Sequence, residues 1–189
     1  NVSVLKDGIP LQPMEVVDST FMSANELRNF LEAQIQDAKD KEILFSLHVK
    51  ATMMKVADPI IFGHTVSVFL IDFFRKHSKT LAELGVDPDN GLGELESKIA
   101  TLPDAERKAL EHDLKTALGS GPALYMVNSD KGISNLHVSS DVIIDASMPS
   151  LIRAGGKCWG PDGLEHDTKC VIPDSSYAPV YEETINFCK

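Results

Sequence analysis

Basic residues are in short supply in this chain, with 18 Lys and Arg against 28 Asp and Glu and a net charge of -10 at pH 7. A surface without surplus cations cannot neutralise phosphates, so neither nucleic acid nor an anionic membrane is an expected partner. Cysteine is equally sparse: Cys158, Cys170 and Cys188 are the only three. An odd count in a chain large enough to bury its own core argues against a secreted disulfide framework and for a reducing cytoplasm. No apolar run approaches the roughly 20 residues that span a bilayer, and Asn1 opens no basic-then-apolar secretory leader. Also missing are a C-x-x-C pair, an internal repeat, a low-complexity tract and a G-x-G-x-x-G fingerprint.

What is present suffices for a core: 189 residues, 43% of them hydrophobic, enough for one sizeable domain or a domain with a small appendage. Val2 to Lys6, the pair Asp7-Gly8 and Ile9 to Pro13 have the pattern of a β-hairpin closed by a type I′ turn, with the prolines favouring a sheet edge. Ser23 and Glu26 have capping-box spacing, followed by Leu27, Phe30, Leu31, Ile35 and Ala38 on one helical stripe. From Ile43 to Lys50, Phe45, Leu47 and Val49 alternate with Ser46, His48 and Lys50, the period of a half-buried strand. Asp58 and Pro59 signal a helix start, and Ile60 to Phe74 is apolar on nearly every face, as an interior helix is.

The run Asp87-Pro88-Asp89-Asn90-Gly91 predicts a turn leading into two helices between Leu92 and Gly119, the second starting at Pro103. Ala123 to Val127 and Asp141 to Ile144 suggest short buried strands, Lys169 to Ile172 another, and Tyr177 to Cys188 a helix. Strands alternating with helices predict an α/β fold with three layers, a mixed or mostly parallel sheet flanked by helices. Residues 1–189 then form a single α/β domain, or part of the large domain of a longer enzyme, with about 88–121 as a helical excursion.

Two residues stand where α/β sheets place their chemistry, beyond the carboxyl ends of strands: Lys50 after LFSLHV and Asp145 after DVII. Lys50 could simply close an amphipathic strand on the surface. Beside a bound divalent cation, however, its ammonium form would be disfavoured, as a lysine acting as a base requires. Asp145 could be a helix N-cap satisfied by N–H groups from Ala146 onward, or a carboxylate that needs a cation. Other candidates carry weaker signals. Cys158, His166 and Cys170 lack the spacing of a zinc site and have no evident base for thiol chemistry. His48 and His64 suit hydrogen-bonded core positions. Thr52 is placed to touch a ligand or to bond backbone in a turn, and Met53 and Met54 read as core filling. Gly91, Gly93, Gly155, Gly156 and Gly160 suit turns and helix ends. Lys131-Gly132 is the only stretch resembling a phosphate loop.

Taken together, LHVKATMMKVADPIIFGH, NGLG, SDKGISNLHVSSDVIIDASMP, WGPDG and DTKCVIPD closely resemble the monomeric type of NADP-dependent isocitrate dehydrogenase, from the opening hairpin to Cys188. Members of that family are several times longer, so the resemblance implies an interior segment of the enzyme's large domain. It further implies that Lys50 in HVKATMMK is the catalytic lysine assisting proton transfer at the substrate hydroxyl. Asp145 in DVIIDASMP would be one carboxylate ligand of Mg²⁺ or Mn²⁺. The implied reaction is hydride transfer from isocitrate to NADP followed by loss of CO₂, the metal lowering the hydroxyl pKa and stabilising the enolate. The remaining metal carboxylates, the partner tyrosine, the substrate-gripping serine and arginines and the NADP pocket are expected outside this stretch. The chain alone is therefore expected to be inactive and, through surface meant to pack on the remainder of the enzyme, to self-associate. The alternatives are a decarboxylating dehydrogenase for another 2-hydroxy acid and a noncatalytic interaction domain.

Overall fold

The structure is a computed structural model that describes residues 2–17, 21–52 and 56–189; Met53 and Met54 lie outside the described residues. Its first helix, α1 (Ala24–Asp40), begins as the capping box predicts, with the Glu26 N–H donating to Ser23 Oγ at 3.4 Å and the Leu27 N–H to the Ser23 carbonyl at 2.9 Å. Leu27, Leu31 and Ala38 are buried. Phe30, about 100° around the helix from Leu31, stays largely exposed. Ahead of α1 the expected hairpin is absent: residues 2–17 contain no strand, and their apolar side chains are solvent-facing. An isolated two-stranded ribbon is marginal without a third strand or a helix to cover one face.

Strand β1 (Leu44–Leu47) is the centre of the fold. It runs parallel to β5 (Glu165–Val171), Leu44 opposite Thr168 and Leu47 opposite Val171, while β5 pairs antiparallel with β4 (Lys157–Trp159). A separate antiparallel pair joins β2 (Met126–Asn128) to β3 (Ile133–Ser134). The free edge of β1 is satisfied piecemeal. Phe45 bridges Leu124, Val49 bridges Ile143, and between them the Asn135 side chain stands in for a strand, its Oδ1 accepting from the Leu47 N–H at 2.8 Å and its Nδ2 donating to the Leu47 carbonyl at 2.7 Å. A buried backbone edge needs such partners.

The alternation expected of Ile43 to Lys50 does not produce a half-exposed strand: every residue from Leu44 to Val49 is buried. Phe45, Leu47 and Val49 join the main apolar cluster with Leu31, Phe62 and Val66. On the other face, Ser46 and His48 are buried because they hydrogen-bond each other and a serine of the helix beyond. Polar residues at alternate positions can therefore mark a covered face whose polar groups are satisfied.

Helices α2 (Ala57–Phe69), α3 (Ile71–Lys76) and α4 (Ser78–Glu83) follow one another with breaks only at Leu70 and His77. Phe62, Val66, Phe69, Leu70 and Phe73 are buried, as the all-round apolar pattern predicts. The start differs in detail. Val56 occupies the cap position, Asp58 is the second helical residue, and its carboxylate reaches back to the strand instead of capping the helix. Gly63 allows the Pro88–Asn90 turn to sit against α2, since a Cβ there would lie 1.7 Å from Asp89 Oδ1 and 2.8 Å from the Asp89 backbone nitrogen. Helices α5 (Gly91–Ile99) and α6 (Asp104–Ser120) realise the predicted helical excursion, and Leu92, Leu95, Ile99, Leu110 and Leu114 bury into the same cluster as β1 and α2.

A further departure lies between Asp141 and Ile144, read from the sequence as a strand. Only the single bridge at Ile143 forms before the chain enters α7 (Ile144–Arg153). The chain ends in α8 (Ala178–Cys188). A small mixed sheet flanked by helices makes this an α/β fold, and no helix among the described residues is long and apolar enough to cross a membrane.

Candidate functional site

Lys50 and Asp145, separated by 95 positions in sequence, meet where the β1 segment runs out and α7 begins, the Lys50 ammonium donating to Asp145 Oδ2. Each is positioned by its own element. Just beyond β1, the Lys50 N–H donates to Asp58 Oδ2 at 2.5 Å, so the first turn of α2 fixes the backbone from which the lysine projects. Asp145 sits in the first turn of α7, not at the end of a strand, because the Ile144 N–H bonds the Val49 carbonyl at 3.2 Å and turns the chain into the helix there. It is not an N-cap either: Ile143 occupies that position and makes no side-chain cap bond.

The pair is asymmetric in exposure. The Lys50 side chain is 12% exposed and that of Asp145 49%, so the carboxylate faces solvent with coordination capacity to spare while the lysine is tucked behind it. The hydrogen bond from Lys50 to Asp145 raises the lysine pKa above its ordinary value against the opposing effect of burial, with the Asp145 charge and Tyr177 and Tyr181 adding to the rise. As the pair stands, Lys50 is an ammonium and a proton donor. The support for that charged form comes first from Asp145, so it would weaken if the carboxylate were engaged by another cation.

Tyr181 on α8 closes one side of the site. Its hydroxyl donates to the Ile144 carbonyl at 3.2 Å, and burial, followed by the neighbouring Asp145 and Tyr177, raises its pKa. Behind the site, His48 is 1% exposed. Its Nε2 shares a hydrogen bond with Ser46 Oγ and its Nδ1 one with Ser147 Oγ, both at 2.7 Å. Burial pushes this imidazole down to about 4. The ring is neutral near pH 7, with one nitrogen donating and the other accepting.

The other sequence candidates resolve into structural roles. His166 bonds the two Asp162 carboxylate oxygens at 2.9 and 2.8 Å in the β4–β5 turn, while Cys158 bonds the Cys170 and Thr168 side chains. Those hydrogen bonds draw the Cys158 thiol down and Cys158 pushes Cys170 up. The trio does not converge on one point, and no group of three or more His, Cys, Asp or Glu able to hold a metal exists among the described residues. His64 accepts from Arg28 Nε at 3.2 Å. Lys131-Gly132 forms the β2–β3 turn, Gly132 at φ 69° and the Lys131 N–H donating to Asn128 Oδ1 at 3.0 Å. Gly91 and Gly93 open α5 against residues 136–137, the Leu92 and Gly93 N–H groups donating to the Leu136 and His137 carbonyls at 2.9 and 3.0 Å. Those donors are spent on protein. Thr52 is half-buried.

The sequence nominates Lys50 and Asp145, which the structure brings into contact, and does not nominate Asp58 as the anchor of Lys50, Ser147 as the partner of His48, or Tyr181. The four-residue spacing of Tyr177, at the cap of α8, and Tyr181 within it was the available signal for the last.

As a donor set, the site offers one half-exposed, hard carboxylate oxygen ligand. That suits one position of a Mg²⁺ or Mn²⁺ shell, which commonly combines one or two carboxylates with waters and substrate oxygens, and it falls short of a complete cage.

An α/β unit that presents a lysine–carboxylate pair at the junction of a strand and a helix fits a site of acid–base chemistry at an oxygen centre. Comparison with known proteins narrows this. The family model for monomeric isocitrate dehydrogenase matches residues 1–189, and the chain belongs to that family. It is 54% identical to isocitrate dehydrogenase [NADP] of Azotobacter vinelandii over 99% of its length. Against isocitrate dehydrogenase [NADP] 2 of Colwellia maris it is 51% identical over 100%, and against the Mycobacterium tuberculosis protein of the same name 52% identical over 98%. In each case the match covers 25% of the relative, so the chain spans about a quarter of the length of the curated relatives it matches.

Proposed function

We propose that this chain is a segment of a longer cytoplasmic enzyme that oxidatively decarboxylates isocitrate to 2-oxoglutarate with NADP and Mg²⁺ or Mn²⁺, and that Lys50 and Asp145 are its contribution to the active site. The observation that carries the reading is the contact between Lys50 Nζ and Asp145 Oδ2. Two residues whose motifs resemble the family's catalytic lysine and metal-ligand aspartate, far apart in sequence, meet at one solvent-open junction. Free Cys158, Cys170 and Cys188 fit a reducing compartment.

In this reading Asp58 holds the Lys50 backbone so that Nζ reaches the reacting oxygen from one side, and the low exposure of Lys50 keeps bulk water from levelling its proton affinity. Asp145 would hold a divalent ion in part, and that ion would supply Lewis-acid charge to the substrate. With the ion bound, Asp145 would be drawn from the ammonium, and the proton affinity of Lys50 Nζ would fall as that carboxylate's charge is shared. The groups that grip isocitrate and NADP lie in the remainder of the enzyme, so the 189-residue chain by itself turns over no substrate.

The test is isocitrate-dependent reduction of NADP by the full-length protein with Mn²⁺. Lys50→Met should lower kcat by about 10²- to 10⁴-fold, the range for a lost general acid–base group, with an unaltered melting profile. An unaltered protein that does not oxidise isocitrate, or a Lys50→Met variant that retains its rate, would defeat the proposal.

A further inference from the structure

We infer that His48 is a positioning residue for the Lys50–Asp145 pair, acting through Ser147 to set the rotation of α7 about its own axis; the inference rests on the function proposed above. Three ties join segment 48–50 to the start of α7. They are the His48 Nδ1 to Ser147 Oγ hydrogen bond at 2.7 Å, the Ile144 N–H to the Val49 carbonyl at 3.2 Å, and the Lys50–Asp145 ion pair itself. The middle one fixes the backbone at the helix end and does not by itself set the rotation of the helix, which the burial of Ile144 and Met148 and the Tyr181 bond to the Ile144 carbonyl set only at one end. Asp145 and Ser147 are two residues apart, about 200° around a helix, so holding the Ser147 hydroxyl from the far side fixes where the Asp145 carboxylate points. With that carboxylate roughly 5 to 6 Å from the helix axis, a swivel of about 20° would carry it some 2 Å, and displacements of about 1 Å at a reacting centre can cost around 10²-fold in rate.

Two further features make the tie necessary. Pro149 lies inside α7 and has no N–H to offer the Asp145 carbonyl one turn back, which weakens the turn that carries the aspartate. His48 in turn is itself immobilised: it is 1% exposed, its second ring nitrogen is engaged by Ser46 Oγ at 2.7 Å, and its ring stacks on Tyr125 with centroids 6.5 Å apart. A fully enclosed side chain with both nitrogens committed is a rigid strut, as residues supporting a reactive pair need to be.

The experiment uses the full-length protein and reads kcat, the KM for NADP, Mn²⁺ affinity from the free-ion paramagnetic signal, and the melting temperature. Ser147→Ala and His48→Gln should lower kcat about 10- to 100-fold and weaken Mn²⁺ binding while leaving the KM for NADP in place. His48→Asn puts its amide where Nδ1 stood and should recover most of the lost rate; Gln reaches instead towards the Nε2 position and should not. Ser46→Ala, which leaves the Ser147 bond intact, should move the melting temperature more than kcat. Unchanged kcat and Mn²⁺ affinity in Ser147→Ala would overturn the inference, as would equal losses in His48→Asn and His48→Gln that merely track melting. An unaltered protein inactive towards isocitrate would defeat the proposed function instead, and the Mn²⁺ titration of Ser147→Ala would still decide whether the tie orients Asp145.

Discussion

Acidification should expose the cost of burying His48. The imidazole is pushed from its ordinary value near 6.5 down to about 4 by burial, so the unfolded chain takes up a proton there at a pH where the folded chain refuses it. A group with a depressed folded pKa contributes stability that is complete above the unfolded pKa and lost as pH falls towards the folded one. For His48 the window is pH 6.5 down to 4, and at about 1.36 kcal/mol per pH unit of difference the loss amounts to about 3 kcal/mol. In a chain of this size that corresponds to a fall of about 6 to 12 °C in melting temperature. The carboxylates of Asp37, Asp113 and Asp162, held below their usual range by hydrogen bonds from Lys169, from Lys76 and from His166 respectively, lose their contribution only at lower pH. His64, lowered first by burial and then by Arg28, acts with the same sign as His48, so the comparison must be between the unaltered chain and His48→Gln. Thermal unfolding followed by circular dichroism from pH 8 to pH 4 should show a steep loss in the former and a markedly shallower one in the latter. Equal slopes in the two proteins, or a gain in stability on acidification through this window, would refute the reasoning.

Other perturbations read the packing and the site separately. Gly63→Ala drives a Cβ to 1.7 Å from Asp89 Oδ1 and 2.8 Å from the Asp89 nitrogen; denaturant unfolding should register a loss of about 1 to 3 kcal/mol as α2 and the Pro88–Asn90 turn part. Leu31→Ala, at a position 0% exposed, should cost about 2 to 5 kcal/mol by leaving a cavity. Asp145→Asn removes a half-exposed carboxylate from its pairing with Lys50, so melting should change little while metal-dependent turnover of the full-length protein collapses; the reverse pattern would make the residue structural. Sedimentation of the isolated chain should show self-association that disappears when residues 1–22 are deleted, because Val2, Val4, Leu5, Met14, Val16 and Phe21 are all exposed there. Residues 60–74 are largely buried and do not supply that surface.

Much of this architecture is legible in the sequence where a signal is local. The Ser23 and Glu26 capping pair, the all-apolar run after Pro59, Pro103 ahead of α6 and the helix after Tyr177 all lie where pattern and propensity put them. Failures occur where a distant segment decides. Asp141 to Ile144 has the composition of a buried strand, but the β1 edge it reaches is already shared with Leu124 and the Asn135 side chain, leaving room for one bridge before the chain turns into α7. Ser46 alternates as a solvent-facing residue would and His48 suits a hydrogen-bonded core position, but Ser147, 99 positions after His48, is a partner that no local pattern could name. The hairpin signal at Asp7-Gly8 is real turn chemistry without a surface to pack upon.

The same distinction explains why the site was half visible. Lys50 and Asp145 announce themselves because an ionisable residue ending an apolar run is costly unless something answers it, and the structure shows that each answers the other. The residues that hold them, Asp58 through a backbone N–H and His48 through a serine hydroxyl, carry no such mark. A carboxylate beside a proline resembles a helix cap, and a core histidine does not name its partner. Their roles exist only once β1, α2 and α7 converge, and the convergence is built from contacts of modest individual strength. Substituting the supports should therefore leave a folded protein with a misdirected pair, whereas substituting the pair should leave a correctly shaped junction without its chemistry. Measuring both classes of variant for rate and for melting on the same full-length protein separates the two kinds of loss.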